Sequence, residues 1–400
     1  MMEMIAFAQA RSLVLAAVNP LPPERIEVTS ARGRVLAESA VALVDLPSAR
    51  VALRDGYAIR AQDAKQKGKL KVRGVAMAGS PYPEPLLAAE AVRVAAGAVI
   101  PEGADTVVPD EEAKAERDEI ILSGAAAANR FLRTQGEEWK QGQSLFPPGT
   151  VLDPPTVGLL VAAGYAEVKV YRRPRARVLA VGDELRTPGR PLMPGQVYPS
   201  AAWTVAALLS ELGLDEVRVD QCADDEDEIL EFLPEPLAAD LIITLGGTGH
   251  GAHDVVIPAL QKRGGEFEFR GVKMRPGHYT SFGRLQSVPV FCLPGGPSAA
   301  EADFYQFLRP ALLKMSGRRQ LDLPRVGARL FEAVDSPQGQ YHLIRGRLEK
   351  RDHVEWFRPL HESSLHHELR LSQGYLAVAE EVLRLEAGRE VEIELTRERW

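Results

Sequence analysis

The chain has 400 residues and a formal net charge of −7, which argues against non-specific nucleic-acid binding, and its length admits about two to four domains. Its only cysteines, Cys222 and Cys292, form no C-x-x-C pair, so a zinc ribbon or disulfide framework is not expected and a reducing cytoplasm fits. No run of about 18 apolar residues predicts a membrane span, and the N-terminal stretch, with Glu3 and a helical apolar pattern, does not read as a signal peptide.

In chain order, Ile5, Ala8, Leu13, Ala16 and Ala17 share one helical face, ended by Asn19-Pro20. Residues 21–47 read as a connector. A β-rich insertion follows, entered at Asp55-Gly56-Tyr57-Ala58-Ile59, with strands at Lys71–Met77, Ala91–Ala95, Thr106–Val108 and Glu119–Leu122 divided by Gly and Pro. Residues 134–163 form a second connector that ends in a helical turn. From Pro174 strands and helices alternate. Strands are predicted at Arg177–Val181, Glu216–Asp220, Leu241–Leu245 and Val288–Leu293. Helices are predicted from Ser200 as cap to Leu212, from Asp224 or Asp225 to Leu233, from Asp254 to Leu260, and from a Ser298/Glu301 capping box to Met315. This alternation predicts a mostly parallel sheet with ligands at the strand C-terminal ends. After Gly317 the pattern is β again. The predicted division is therefore 1–45 with 129–173 as an N-terminal helical and connector domain, 46–128 as the inserted β-rich domain, 174–317 as an α/β domain, and 322–400 as a C-terminal β domain.

The segment LIITLGGTGHGAHD (241–254) carries the strongest local signal. A buried strand opens into Gly246, Gly247, Gly249 and Gly251 and then a helix, an order that cradles an anion through glycine backbone N–H groups and a helix N-terminus. Two other strand ends are expected to converge on the same crevice: Gly182-Asp183-Glu184, and Pro294-Gly295-Gly296-Pro297. Two glycine loops beside several carboxylates suit a phosphorylated ligand with Mg²⁺, whose hard-oxygen preference the carboxylates meet. Asp183 and Asp254 taken singly also fit loop geometry or helix capping, and Asp55 fits an Asp-Gly turn. Arg275 in MRPGH can grip a phosphate or oxyanion, or be a surface arginine at a turn. His250, His253 and His278 fit polar loop residues or phosphate donors better than a transition-metal set, since no predicted helix fixes them.

Taken together, the segments RDGYAIR at Arg54, AGAVIPEGADTVV at Ala96, VGDEL at Val181, GQVYPS at Gly195, LIITLGGTGHGAHD at Leu241, RPGHYTSFG at Arg275 and LPGGP at Leu293 resemble, in order and spacing, the molybdopterin molybdenumtransferases, the family that includes the C-terminal domain of gephyrin. The resemblance implies a molybdopterin-binding α/β domain flanked by β-rich domains in an elongated, cytoplasmic homodimer, with the site shared with the partner subunit. It also implies insertion of molybdate into adenylylated molybdopterin with release of AMP, aided by Mg²⁺, and no nucleic-acid or membrane partner. Carried over by motif, Asp55, Glu184 and Asp254 would be catalytic, and Asp224, Asp254 and Glu184 would hold the metal. Gly246, Gly247, Thr248, Gly249, His250, Gly251, Arg275, His278, Pro294, Gly295, Gly296 and Pro297 would bind substrate. The chain departs from the family pattern at several positions. Ala96 replaces the threonine of TGA, Arg275 and His278 replace the lysines of KPGKP, Gly296 replaces the asparagine of LPGNP, and Arg54 replaces the methionine before Asp55. Thr248-Gly249-His250 replaces the serine region of the glycine loop, and that loop also resembles the related molybdopterin adenylyltransferases. Ser363 and Ser364 loosely resemble the family's C-terminal Gly-Ser segment. Alternative readings are a paralogue of altered oxyanion (tungstate) or pterin specificity, and a non-catalytic molybdopterin-binding protein.

Overall fold

A computed structural model describes residues 4–64, 69–233, 237–248, 254–361 and 365–397, although of Leu365 only the backbone. The chain divides into two compact units, Met1–Glu24 with Gly33–Val35 and Tyr171–Trp400, and Arg25–Arg32 with Leu36–Val170.

The first unit is built on a six-stranded sheet in the order Val217–Cys222, Ala176–Val181, Leu241–Leu245, Val288–Leu293, Ser281–Leu285, Gly265–Arg270. The first four strands are parallel and the last two antiparallel. The sheet is thus mixed rather than parallel throughout. The last two strands were absent from the sequence-based prediction, because Ser281–Leu285 is interrupted by Gly283 and Arg284 and neither strand presents a continuous apolar run.

The central strand LIITL is buried at every position, as a strand covered on both faces must be. Its residues alternate between two cores. Leu241, Ile243 and Leu245 pack with Val178, Ala180, Phe291 and Leu293 against Val205 and Leu209 of the helix Ser200–Glu211, Phe304, Phe307 and Leu312, and Phe7 and Val14 of the helix Phe7–Ala17. Ile242 packs with Leu179, Val181, Val290 and Cys292 against Ile229, Val256, Ile257 and Leu260 on the other side. Burial pushes both the Cys222 and the Cys292 thiol up to about 12, so neither is a thiolate at neutral pH.

The expected caps are partly revised. Asp225, rather than Asp224, caps the helix Glu226–Glu231, its Oδ1 accepting from Asp227 N and Glu228 N, each at 3.0 Å. Ser200 is the first helical residue after Pro199 and makes no cap bond. Ser298 and Glu301 form no capping box, because both are turned toward Arg345. The predicted single helix to Met315 runs as Pro297–Asp303, a wider π turn over Phe304–Leu308, and Arg309–Met315. The widening has a local cause: Pro310 lacks an N–H and its ring would meet the Gln306 carbonyl in an unbroken α-helix.

C-terminal to this, Tyr341–Arg351, Val354–Pro359, Arg325–Leu330, Glu390–Leu395 and Gly374–Val378 pair in a closed ring, so no long edge is left open. Met274–Arg275 joins this barrel in parallel, with Arg275 opposite His342. In the second unit a six-stranded sheet runs Thr106–Pro109, Gly56–Ile59, Glu90–Val94, Lys69–Ala76, Glu119–Leu122, Ala113–Glu116. It accounts for the predicted β-rich insertion. Residues 21–47, read as a connector, contain the short strands Pro23–Glu27 and Ala40–Val41.

Candidate active site

The C-terminal ends of four parallel strands in the first unit lie together. Hydrogen bonding continues past the strands into the loops, with Gly182 N donating to Cys222 O at 3.1 Å and Gly246 N to Leu293 O at 3.0 Å. Gly246 has φ +91°, and a methyl group there would fall 2.2 Å from Val181 O, so the glycine is required twice over. Gly295 lies against it, its missing Cβ only 3.4 Å from Gly246 Cα. The two glycine loops therefore form one continuous wall. Thr248 is buried, and its hydroxyl donates to Leu293 O at 3.3 Å. Pro297 opens the helix Pro297–Asp303 behind Gly296, where a proline costs no hydrogen bond. Gly249, His250, Gly251 and His253 lie outside the described residues.

Carboxylates gather on the other side of these loops. Glu184 folds back over Gly182, where a methyl group would fall 2.4 Å from Glu184 Oε2. Asp183 N donates to Asp224 Oδ2 at 3.3 Å and Asp224 N to Asp183 Oδ1 at 3.1 Å, a reciprocal pair joining the first and second strand ends. Asp224 Oδ1 would be 3.4 Å from a methyl group at Gly247, so it faces the glycine loop. Among the described residues no cation pairs with Asp183, Glu184 or Asp224. Asp254 differs: its Oδ2 accepts from Arg270 Nη2 at 2.7 Å. Among the described residues no three His, Cys, Asp or Glu side chains stand close enough to hold a metal ion by themselves. The donor set instead fits Mg²⁺ in an open site, where one or two carboxylates share the ion with ligand phosphates and water.

The RPGH turn carries Arg275 and His278 exposed at its surface, with the His278 ring 3.8 Å from that of Tyr279. Its described contacts run to the far end of the helix Pro297–Asp303, where Gly277 meets Asp303. That contact is roughly 9 Å along the helix axis from Pro297. Burial, and then the Arg275 charge, lower the pKa of His342 on the neighbouring strand. Asp55 lies in the second unit, exposed, with Oδ1 accepting from Ala96 N at 2.7 Å, so the Asp-Gly turn is braced by its own carboxylate. Ser363 and Ser364 fall outside the described residues.

One cluster was not anticipated. Arg345 is buried beside the loop helix, with Nε donating to Glu301 Oε2 at 3.2 Å and its remaining nitrogens to Ser298 Oγ and Ser298 O. Tyr375 Oη donates to the same Glu301 oxygen at 2.8 Å. This guanidinium ties the first turn after PGGP to the barrel, and no local pattern announces it because its partners are distant in sequence.

Models of known families match the chain in three consecutive pieces: the MoeA N-terminal region (domain I and II) over residues 5–164, the "Probable molybdopterin binding domain" over 177–314, and the MoeA C-terminal region (domain IV) over 327–396. A molybdopterin molybdenumtransferase of Haemophilus influenzae is 35% identical over 324 residues, 80% of each chain. Molybdopterin molybdenumtransferase 2 of Mycobacterium tuberculosis is 32% identical over 385 residues, 93% of this chain and 94% of that one. The crystal structure of a molybdopterin biosynthesis MoeA protein from Pyrococcus horikosii superposes with a TM-score of 0.87 at 27% identity, covering 99% of this chain and 100% of that one. The wall of two glycine loops facing uncompensated carboxylates thus sits in a chain that belongs to the molybdopterin molybdenumtransferase (MoeA) family, an enzyme family of molybdenum cofactor biosynthesis.

Proposed function

We propose that this enzyme inserts molybdate into the dithiolene of adenylylated molybdopterin and releases AMP, acting with Mg²⁺ as a cytoplasmic homodimer. The observation that carries the reading is the pairing of a glycine wall with Asp183, Glu184 and Asp224, which no cation of the described chain neutralises. The backbone N–H groups of the Gly246 and Gly295 loops bind the phosphate oxygens, and the tight loop–loop packing fixes where they sit. Asp224, oriented by Asp183 N, and Glu184, folded over Gly182, face the metal side. When bound, Mg²⁺ supplies charge neutralisation across the phosphoanhydride. Glu184 and Asp224 orient the water that adds to phosphorus as the bridging P–O bond breaks and AMP leaves. Arg275 holds the oxyanion with His278 beside it. Asp254 is kept by Arg270 beside the glycine loop. Exposed apolar side chains at Leu192, Met193, Val197, Tyr198 and Trp203 support a dimer contact, and the cytoplasmic location rests on the family resemblance.

The test is AMP release from adenylylated molybdopterin, with and without Mg²⁺, with molybdate and tungstate compared side by side and light scattering run on the same sample. Metal- and molybdate-dependent release is expected. In Glu184→Gln the rate should fall by about 100-fold or more, on the scale of a lost transition-state contact. Tight pterin-nucleotide binding without turnover would replace the transferase by a binding protein, and stronger release with tungstate would reassign the oxyanion.

A further inference from the structure

A buried acid beneath the RPGH turn has no role in the chemistry above. Asp303 ends the helix that starts at Pro297 and has no solvent exposure. Among the described residues neither of its carboxyl oxygens makes a hydrogen bond of good geometry, Thr280 is the one polar side chain that acts on it, and no charged group does. Gly277, Met274 and Thr280 face it. A methyl group at Gly277 would fall 2.4 Å from Asp303 Oδ1, so the turn's backbone rests directly on the carboxyl, and at φ +104° only glycine suits the position. Thr280, fully buried beside it, donates its hydroxyl proton to Gly277 O at 2.8 Å and so has lone pairs left to accept. Val272 N to His278 O and Gly271 N to Thr280 O, both 3.0 Å, complete the turn. An unpaired acid in such a place is costly, and a leucine of similar size would avoid the cost.

We propose that Asp303 is a positioning residue for the RPGH turn: as a neutral acid it donates to Thr280 Oγ1, Thr280 donates to Gly277 O, and this chain of two hydrogen bonds fixes the angle at which Arg275 and His278 meet an anionic ligand. The inference rests on the reading that this turn binds the oxyanion. Burial pushes the Asp303 carboxyl well above the usual carboxylate range, consistent with the neutral form.

Two measurements test it. An acid whose pKa is higher folded than unfolded binds a proton on folding, so its contribution to stability falls as pH rises above about 4. Asp303→Asn is neutral at every pH and its amide still donates to Thr280. The melting-temperature gain of Asp303→Asn over wild type should therefore grow steadily from about pH 4.5 to about pH 8. A gain that does not change with pH overturns the neutral acid. In the AMP-release assay, Asp303→Leu and Thr280→Val should raise KM for adenylylated molybdopterin by about tenfold or more with a smaller change in kcat, while Asp303→Asn stays near wild type. The valine variant keeps the shape of threonine and carries the test if the leucine variant fails to fold. Lower melting temperatures with KM unchanged would leave only a packing role and overturn the proposal. Wild-type protein that released no AMP would sink the transferase reading, while the pH-dependent melting difference would still decide the state of Asp303.

Discussion

The two ends of the central parallel strands handle charge in opposite ways. At the N-terminal ends charges are closed upon one another. Asp240 takes Arg172 in two hydrogen bonds at 2.7 and 2.8 Å and also accepts from Arg175 N and Nε, while Arg173 holds Asp215 at 2.7 Å. At the C-terminal ends Asp183, Glu184 and Asp224 receive only backbone N–H groups or fold against glycine, with no cation among the described residues. The same strands thus end in an ion-paired seam on one side and an uncompensated acidic crevice on the other. The first arrangement stabilises the folded chain by itself. The second leaves charge to be neutralised by something that binds.

The sharpest way to break the contrast is at the loop that shapes the crevice. Gly246→Ala places a Cβ 2.2 Å from Val181 O at φ +91° and should cost roughly 2 to 6 kcal/mol through backbone strain and overpacking together. Thermal denaturation reads the loss, and AMP release should fall with it. Gly296→Asn is the control, because nothing lies within 4 Å of its missing Cβ and its φ is −78°. If both variants behaved alike, the wall formed by the two loops would not matter.

The seam at the opposite ends comes next. Asp240→Ala leaves Arg172, only 28% exposed, without its carboxylate. The cost should be about 1 to 3 kcal/mol, below that of a fully buried pair because water still reaches the guanidinium. KM and kcat for AMP release should not move. Calorimetry beside steady-state kinetics checks both halves, and a raised KM would mean that the two ends of the sheet are coupled.

How much of this was legible in the sequence follows from where the information lies. LIITL announces itself because a strand buried on both faces is apolar at every position, and Gly246 and Gly295 stand in a pattern that strand-end geometry explains. The strands Gly265–Arg270 and Ser281–Leu285 were missed because charged residues and glycine break up their apolar positions. Ser298 and Glu301 have the spacing of a capping box, yet Arg345, 47 residues from Ser298, claims both. Likewise nothing near Asp254 signals that Arg270 will meet it, and nothing near Asp303 signals that Gly277 will lie on top of it. Roles carried by a local run could be read from the chain, while those set by a partner brought from elsewhere could not.

The smallest expected effect separates these two kinds of signal within single residues. Asp225 and Ser200 both have the side chain that caps a helix and both stand at a helix start beside the crevice. Asp225 accepts from Asp227 N and Glu228 N, and its carboxylate also opposes the partial positive charge of that helix end. Ser200 sits one residue inside its helix, where its hydroxyl meets no orphan N–H and lies 3.4 Å from His366 Nε2 instead. Asp225→Ala should therefore cost about 1 kcal/mol, and Ser200→Ala less than about 0.5 kcal/mol. Urea midpoints resolve the difference if the slope of the transition stays constant. Equal losses would mean that the Asp225 bonds are too exposed to count, and that acidic charge next to Asp224 serves the crevice rather than the helix.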